Sequence, residues 1–495
     1  MTPEHRWEAS NSHRSYLGNN RDLYILVVMA TMSKYLLIGL ALASYVSASE
    51  VHLDCHGFVS AALSNDPQML EDANSSEAKR LKVGSIKADV VLPKFEITAA
   101  FGPAPGLKTG VDSYGDTINV WDFTKMGPYF GTEIKVAQPL NIGQLELALK
   151  TARADFTQKQ WEIAGKRVNK VSEYQQYYYG YLLAWELTRL TDDAVKQMQK
   201  AEDRLQEKLD AQEDADDDES DTAKGKVSQD DLLQIKAGRF EVDKASLEAQ
   251  NGLQKAKLAI QFTLNLGDSD VFVPADSFLV ERSEVIPRLD SLKAVLRNSH
   301  PDLLRIKSGL EALDGQMRME DAKLGPQFFL FGSFKYAKSW AGDRRTLSED
   351  AFVKDPVNTL TGSFGVGIKY NVNFWSAVEK SRIARAELRQ LKFKDAYAAD
   401  GLEMKLDLQY QEWQSAKARL ESARKSLRAT EALMKGAAMR FDVDPSEGSK
   451  LIDAYRRNLL MQKDYYFSVY QYNVAVADLI AKAGMVLDDV SRSSP

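Results

Sequence analysis

FGTEIKVAQPLNIG, from Phe130 to Gly143, alternates large residues with small or charged ones as far as Pro139 and then takes on helical spacing. The chain repeats the passage 234 residues later as FGVGIKYNVNFWSA, from Phe364 to Ala377. Pro67 and Pro301 are also 234 apart, and Pro93 and Pro326 differ by 233. Landmarks in one register indicate an internal duplication whose period is far longer than a solenoid repeat, so the chain reads as two large half-units.

Each half holds two alternating segments. Phe95, Ile97, Ala99 and Phe101 share one face, and Phe328, Leu330, Gly332 and Phe334 occupy the matching positions. Phe130, Thr132, Ile134 and Val136 are matched in the same way by Phe364, Val366, Ile368 and Tyr370. Gly131, Glu133 and Lys135 lie opposite, against Gly365, Gly367 and Lys369. A period of two with one greasy face describes a strand buried on one side, either in a soluble sandwich or against lipid. The connections favour lipid: GPAPGLKTGVDSYGDTINVWDFTKMGP and AKSWAGDRRTLSEDAFVKDPVNTLT are long and polar and are expected to be outer loops of barrel hairpins.

After the second strand of each half, Asn141 to Leu209 and Trp375 to Arg440 contain no proline, and a continuous helix of that length reaches ~100 Å. A returning helix follows. Ile235, Gly238, Val242, Ala245, Ala249, Gly252, Ala256, Ala259, Thr263 and Leu266 form a seam of apolar or small residues, and Ile452 to Ala483 repeats the spacing. Gly267 and Gly484 are placed to close these helices.

Four strands cannot close a barrel, and lipid tolerates no open edge, so copies of the chain must combine. Two copies give eight strands and a filled interior; three give twelve and room for a lumen.

The 64 basic and 70 acidic side chains leave a net charge of −6 with no basic patch, which gives no electrostatic case for nucleic acid, and no nucleic-acid partner is expected. The single cysteine, Cys55, excludes an internal disulfide framework. Lys34, the apolar run Tyr35 to Ala43 and the small residues Val46-Ser47-Ala48 have the parts of a secretory signal, in preference to a spanning helix over Leu23 to Val46. The expected organisation is an upstream extension and cleaved signal over 1–48, half-repeats over 49–267 and 288–484, a connector over 268–287 and a tail over 485–495.

This order of parts resembles the TolC-type outer membrane efflux proteins across about residues 58 to 484. The residues that carry the resemblance are LPKFEITAAFG and GPQFFLFGSFK at the strand entries, the two strand-to-helix passages, and DLLQIKAG and KLIDAYRR near the starts of the returning helices. The resemblance implies a mainly α fold with a membrane β-barrel portion: a homotrimer sharing one barrel in outer membrane lipid, continued by an α-helical periplasmic tunnel. It implies the exit duct of a tripartite efflux or type I secretion system, docked to a periplasmic adaptor and an inner membrane pump. No enzymatic activity and no cofactor are expected. Pro139 matches the family's proline at the strand-to-helix bend, whereas the second half has Asn373-Phe374 there. Asp453 matches one aspartate of the family's closed tip, with Lys450 in place of another carboxylate, and Asp230 and Asp231 are the first-half counterparts. Helix-start preference is the alternative reading of Asp453.

Three further stretches stand out. DAQEDADDDESD, Asp210 to Asp221, reads as a solvated acidic loop. Tyr174, Tyr177, Tyr178, Tyr181 and Trp185 form a stripe expected to pack between helices. His52, Cys55 and His56 form a metal-like cluster with no second ligand group. The competing function is a secreted or periplasmic coiled-coil structural protein without a pore.

Overall fold

The computed structural model describes residues 50–140, 142–213, 228–267, 270–341, 357–370, 374–443 and 448–485. The expected signal segment, most of the acidic run, Asn373 and nearly all of the expected tail lie outside these residues.

β1 (Glu50–Leu53) leads into α1 (Cys55–Asn65) and α2 (Pro67–Val91). Strands β2 (Lys94–Val111) and β3 (Thr117–Pro139) follow, then the 72-residue α3 (Ile142–Glu213) and the returning α4 (Gln229–Leu264). After β4 (Val271–Pro274) the series recurs: α5 (Leu289–Ser299), α6 (Pro301–Ala322), β5 (Gln327–Ser339), β6 (Thr359–Lys369), the 70-residue α7 (Phe374–Val443) and α8 (Gly448–Lys482). α1 and α5 begin 234 residues apart, as do α2 and α6. The longest helices extend roughly 105 Å at 1.5 Å per residue. Among the described residues no helix is long and apolar enough to cross a membrane.

Local chemistry sets the matching starts. Asp66 caps α2 by accepting from the Gln68 N–H, and His300 caps α6 by accepting from the Asp302 N–H at Nδ1 (3.1 Å), each with a proline at the first helical position. Burial holds the His300 imidazole below its usual pKa, which keeps the accepting nitrogen unprotonated.

β2, β3, β5 and β6 form one antiparallel sheet in that order, and β1 pairs with β4 in parallel. The stretch expected as the first outer loop is instead mostly strand. β2 and β3 continue past a bulge between Pro105 and Gly106 to a tight turn, where Asp112 Oδ1 accepts from the Tyr114 and Asp116 N–H groups and Gly115 takes φ 88°. Most of the second loop lies outside the described residues.

The returning helices also depart in detail from the heptad seam. In α4 the buried positions move from Ile235 and Val242 to Ser246, Ile260 and Leu264, one residue beyond the expected Ala245, Ala259 and Thr263. An α-helix of 3.6 residues per turn drifts in this direction against a 3.5-residue pattern. Gly484, at φ 76°, ends α8 as expected, but α4 is closed by Asn265 at φ 53° and not by Gly267.

The main core lies along the helices. Tyr174, Tyr178 and Tyr181 of α3 are buried with Phe58 of α1 and Phe272 of β4. Tyr178 Oη donates to Asp276 Oδ2 (2.7 Å), and Tyr174 Oη donates to Asp66, so both hydroxyls are satisfied. Tyr177 departs from the expected stripe: it faces solvent and donates to Glu173. Trp185 is half-buried, with the Arg189 guanidinium over its ring.

Candidate functional site

The strand wall is assembled residue by residue. Phe95 faces Val136, Ile97 faces Ile134 and Phe101 faces Phe130 across β2 and β3. Ile134 faces Phe334 on β5, while Phe328 faces Ile368, Leu330 faces Val366 and Phe364 faces Gly332 across β5 and β6. Side chains directly opposite in a ladder share a face, so all these positions form one continuous apolar surface. It is open to the surroundings: Phe95 is 67 %, Phe101 80 %, Phe364 93 % and Val366 66 % exposed. Tyr370 is also exposed and lies just beyond β6.

The opposite face is polar or small in most rows, with Lys135 and Glu133 paired at 3.3 Å. It also carries Phe329 and Phe331, absent from the expected small-or-charged pattern. A Cβ at Gly367 would lie 2.4 Å from the Phe329 ring, and one at Gly365 3.2 Å from the Phe331 ring, so these glycines make room for the rings. FFLFGSF is apolar at consecutive positions, and alternation alone marks only one of its faces.

Pro139 is the last residue of β3, and the Leu140 N–H still bonds the Phe328 carbonyl (2.8 Å) before α3 begins at Ile142. The missing proline N–H would point toward β2, whose ladder has already ended at Lys94 opposite Ala137, so the proline costs no bond there.

At the far end of the helices, Leu232 and Ile235 of α4 pack with Leu205, Phe441, Leu451 and Ile452. This cluster brings the starts of α4 and α8 together, and with them Asp230, Asp231 and Asp453. Asp453 is exposed in the second turn of α8, outside the first turn where a helix macrodipole favours carboxylates. Asp230 is exposed, while Asp231 is engaged in a capping box with Ser228. Arg204 reaches Asp442 (3.4 Å) and Arg456 approaches Glu241 (3.6 Å), linking the two helical hairpins by exposed ion pairs. Above the tip, α3, α7 and α8 border an open pocket of about 720 Å³ lined by residues including Glu186, Arg189, Asn458 and Tyr466. Burial pushes the Glu186 carboxyl above its usual pKa, against the opposing pull of Arg189.

The residues of the metal-like cluster are divided between the end of β1, which holds His52, and the start of α1, which holds Cys55 and His56. His52 lies in β1 beside Glu50, and burial pushes the Cys55 thiol up to about 11. Among the described residues no three His, Cys, Asp or Glu side chains gather as a metal site.

No protein-family model matches the sequence, and no curated relative matches it. Solved structures do. The channel CusC matches with a TM-score of 0.66 at 15% identity, over 90% of this chain and 96% of that one. The outer membrane channel CmeC of Campylobacter jejuni matches at 0.65 and 15%, over 88% of each chain. The open state of the outer membrane channel MtrE of Neisseria gonorrhoeae matches at 0.66 and 14%, over 87% of this chain and 89% of that one. At these identities the likeness establishes the fold: the chain is folded as the subunits of outer membrane channels are.

Proposed function

We propose that the chain is one subunit of an outer membrane channel, the exit duct of a tripartite efflux or type I secretion system, and that it conducts substrates passively. The observation that carries this reading is a four-stranded sheet with one exposed apolar face and, among the described residues, no strand beside the outer edge of β2 or β6. Hydrocarbon suits that face but not those edges, so further copies must complete the wall. A homotrimer supplies twelve strands and a lumen, and the helices of roughly 105 Å extend the duct into the periplasm. A soluble coiled-coil protein would leave the same apolar face in water.

On this reading residues 1–48 are removed on export, 49–267 and 288–484 are half-units joined by 268–287, and 485–495 forms a tail. Pro139 marks the bend from wall to tunnel. The exposed Asp453 of each copy, with Asp230, gives the tip a negative constriction, and Asp231 contributes chiefly as a cap. A periplasmic adaptor and an inner membrane pump complete the pathway; the channel has no enzymatic activity and needs no cofactor.

The test is fractionation with conductance. The protein should remain with outer membranes through carbonate extraction and give single-channel steps when purified into a planar bilayer. Release by carbonate, with no conductance, would refute the proposal.

A further inference from the structure

The backbone of the sheet specifies how its two outer edges meet. The Trp340 N–H donates to the Pro128 carbonyl, so the backbone of Pro128 turns toward β5, and Pro103, opposite it on β2, turns toward the outer edge. By alternation Phe95, Ile97, Ala99 and Phe101 present their N–H and C=O groups at that edge. Pro93, Pro103 and Pro105 share this parity and bring no N–H. The edge of β2 therefore offers four donors bracketed by prolines. On β6, the Leu140 N–H bond to the Phe328 carbonyl fixes the alternation through β5, so that Leu360, Gly362, Phe364, Val366 and Ile368 face outward along the other edge.

Resting on the channel reading above, we propose that these edges join between copies in one register: Phe95 with Ile368, Ile97 with Val366, Ala99 with Phe364 and Phe101 with Gly362. Pro103 and Pro105 end the seam and leave the hairpin arm above them unpaired to the neighbouring wall.

Three observations select this register. It keeps the apolar residues of β2 and β6 on one continuous face, which a slip of one residue would destroy. It uses all four donors, whereas a slip of two toward the arm sets Pro103 opposite Gly362 and loses one. The sheet's own slant selects it over the opposite slip. Lys94 is level with Ala137, Phe331 and Gly365, yet the near ends of β3, β5 and β6 lie two, four and four residues further on. The proposed seam carries the slide to four residues per chain, one per strand. About 3.3 Å of slide per ~4.7 Å of strand spacing gives a tilt of roughly 35°, within the usual range of barrels. A slip of two toward Lys94 would halve it.

The proline stop also gives the long hairpin a physical meaning. From Gly106 to Val111, β2 climbs roughly 20 Å beyond the prolines, paired only to β3. Its turn exposes Tyr114 almost completely, at 91 %.

Cysteine pairs in a Cys55→Ser background test the seam by copper-phenanthroline oxidation in membranes and non-reducing gels. Ala100→Cys with Ser363→Cys, a closely spaced pair in this register, should form covalent multimers about ten-fold more efficiently than Thr98→Cys or Gly102→Cys combined with Ser363→Cys. If a heat-sensitive oligomer persists but crosslinks best through Thr98 or Gly102, or through none of them, the register is wrong and the channel reading stands. If no oligomer forms in unsubstituted protein, the channel reading fails with it. For the stop, Ala104→Cys with Thr359→Cys should crosslink about three-fold better when Pro103 and Pro105 are both changed to Ala, which restores two donors. An unchanged yield overturns the proline stop.

Discussion

Asn473 of α8 fastens the connecting segment between β4 and α5: its Oδ1 accepts from the Arg282 N–H at 3.0 Å, and its Nδ2 donates to the Val280 carbonyl at 2.9 Å. The side chain is fully buried, so both connector groups depend on it. Asn473→Leu leaves a buried donor and acceptor unpaired and should cost on the order of 2–4 kcal/mol. Thermal unfolding in detergent, together with faster trypsin cleavage after Arg282, measures this. Unchanged cleavage would show that other contacts hold the connector.

Acid should remove a contact between α2 and α3. Lys159 and Lys166 both donate to Asp72 at 2.8 to 2.9 Å, and the Lys159 bond foremost holds its carboxyl below the ordinary value of 3.8. A lowered folded-state pKa gives stability that is complete above the unfolded value and is lost as pH falls through the folded one. Asp72→Asn should therefore lower the unfolding midpoint by a few degrees at pH ~7, about 1 kcal/mol, with the gap closing below pH ~4. A gap that persists in acid would contradict the ion-pair account.

The apolar face should tolerate no charge near mid-strand. Ile134→Arg costs roughly 2–4 kcal/mol if the face meets hydrocarbon and should reduce outer membrane assembly strongly. Ser333→Arg, whose residue bonds Ser363 on the other face, should assemble near normally. Equal assembly of the two variants would remove the assignment of the faces.

At the tip, Asp453→Asn should weaken block by trivalent cations in planar bilayers by about ten-fold if three carboxylates converge. Asp231→Asn should chiefly loosen the start of α4, because Asp231 is bound to Ser228. Identical block in wild type and Asp453→Asn would place Asp453 outside the pore.

What could be read from the sequence follows from how locally each feature is encoded. Phe95, Val136, Leu330 and Val366 lie on one face because a period of two fixes the face wherever one side is apolar, whereas which of them fall opposite each other is set by the register and is not written in the alternation. Pro139 is the last residue of β3, and α3 begins at Ile142. β1 and β4 escape notice: each has four residues, and their pairing joins Glu50 to Val271 across more than two hundred positions. The hairpin arm is hidden because glycine, proline and aspartate in GPAPGLKTGVDSYGD read as loop, while the bulge at Pro105 lets the ladder continue. The acidic tip is the least legible. Asp231 and Asp453 look alike in sequence, and only the bond to Ser228 separates a cap from an exposed carboxylate.

On the proposed reading, one chain supplies a third of a closed wall. Native mass measurement of the detergent-extracted particle tests it most directly: three chains, falling to one on heating in SDS, is the predicted result. A folded single chain that retains its strands without detergent would contradict it.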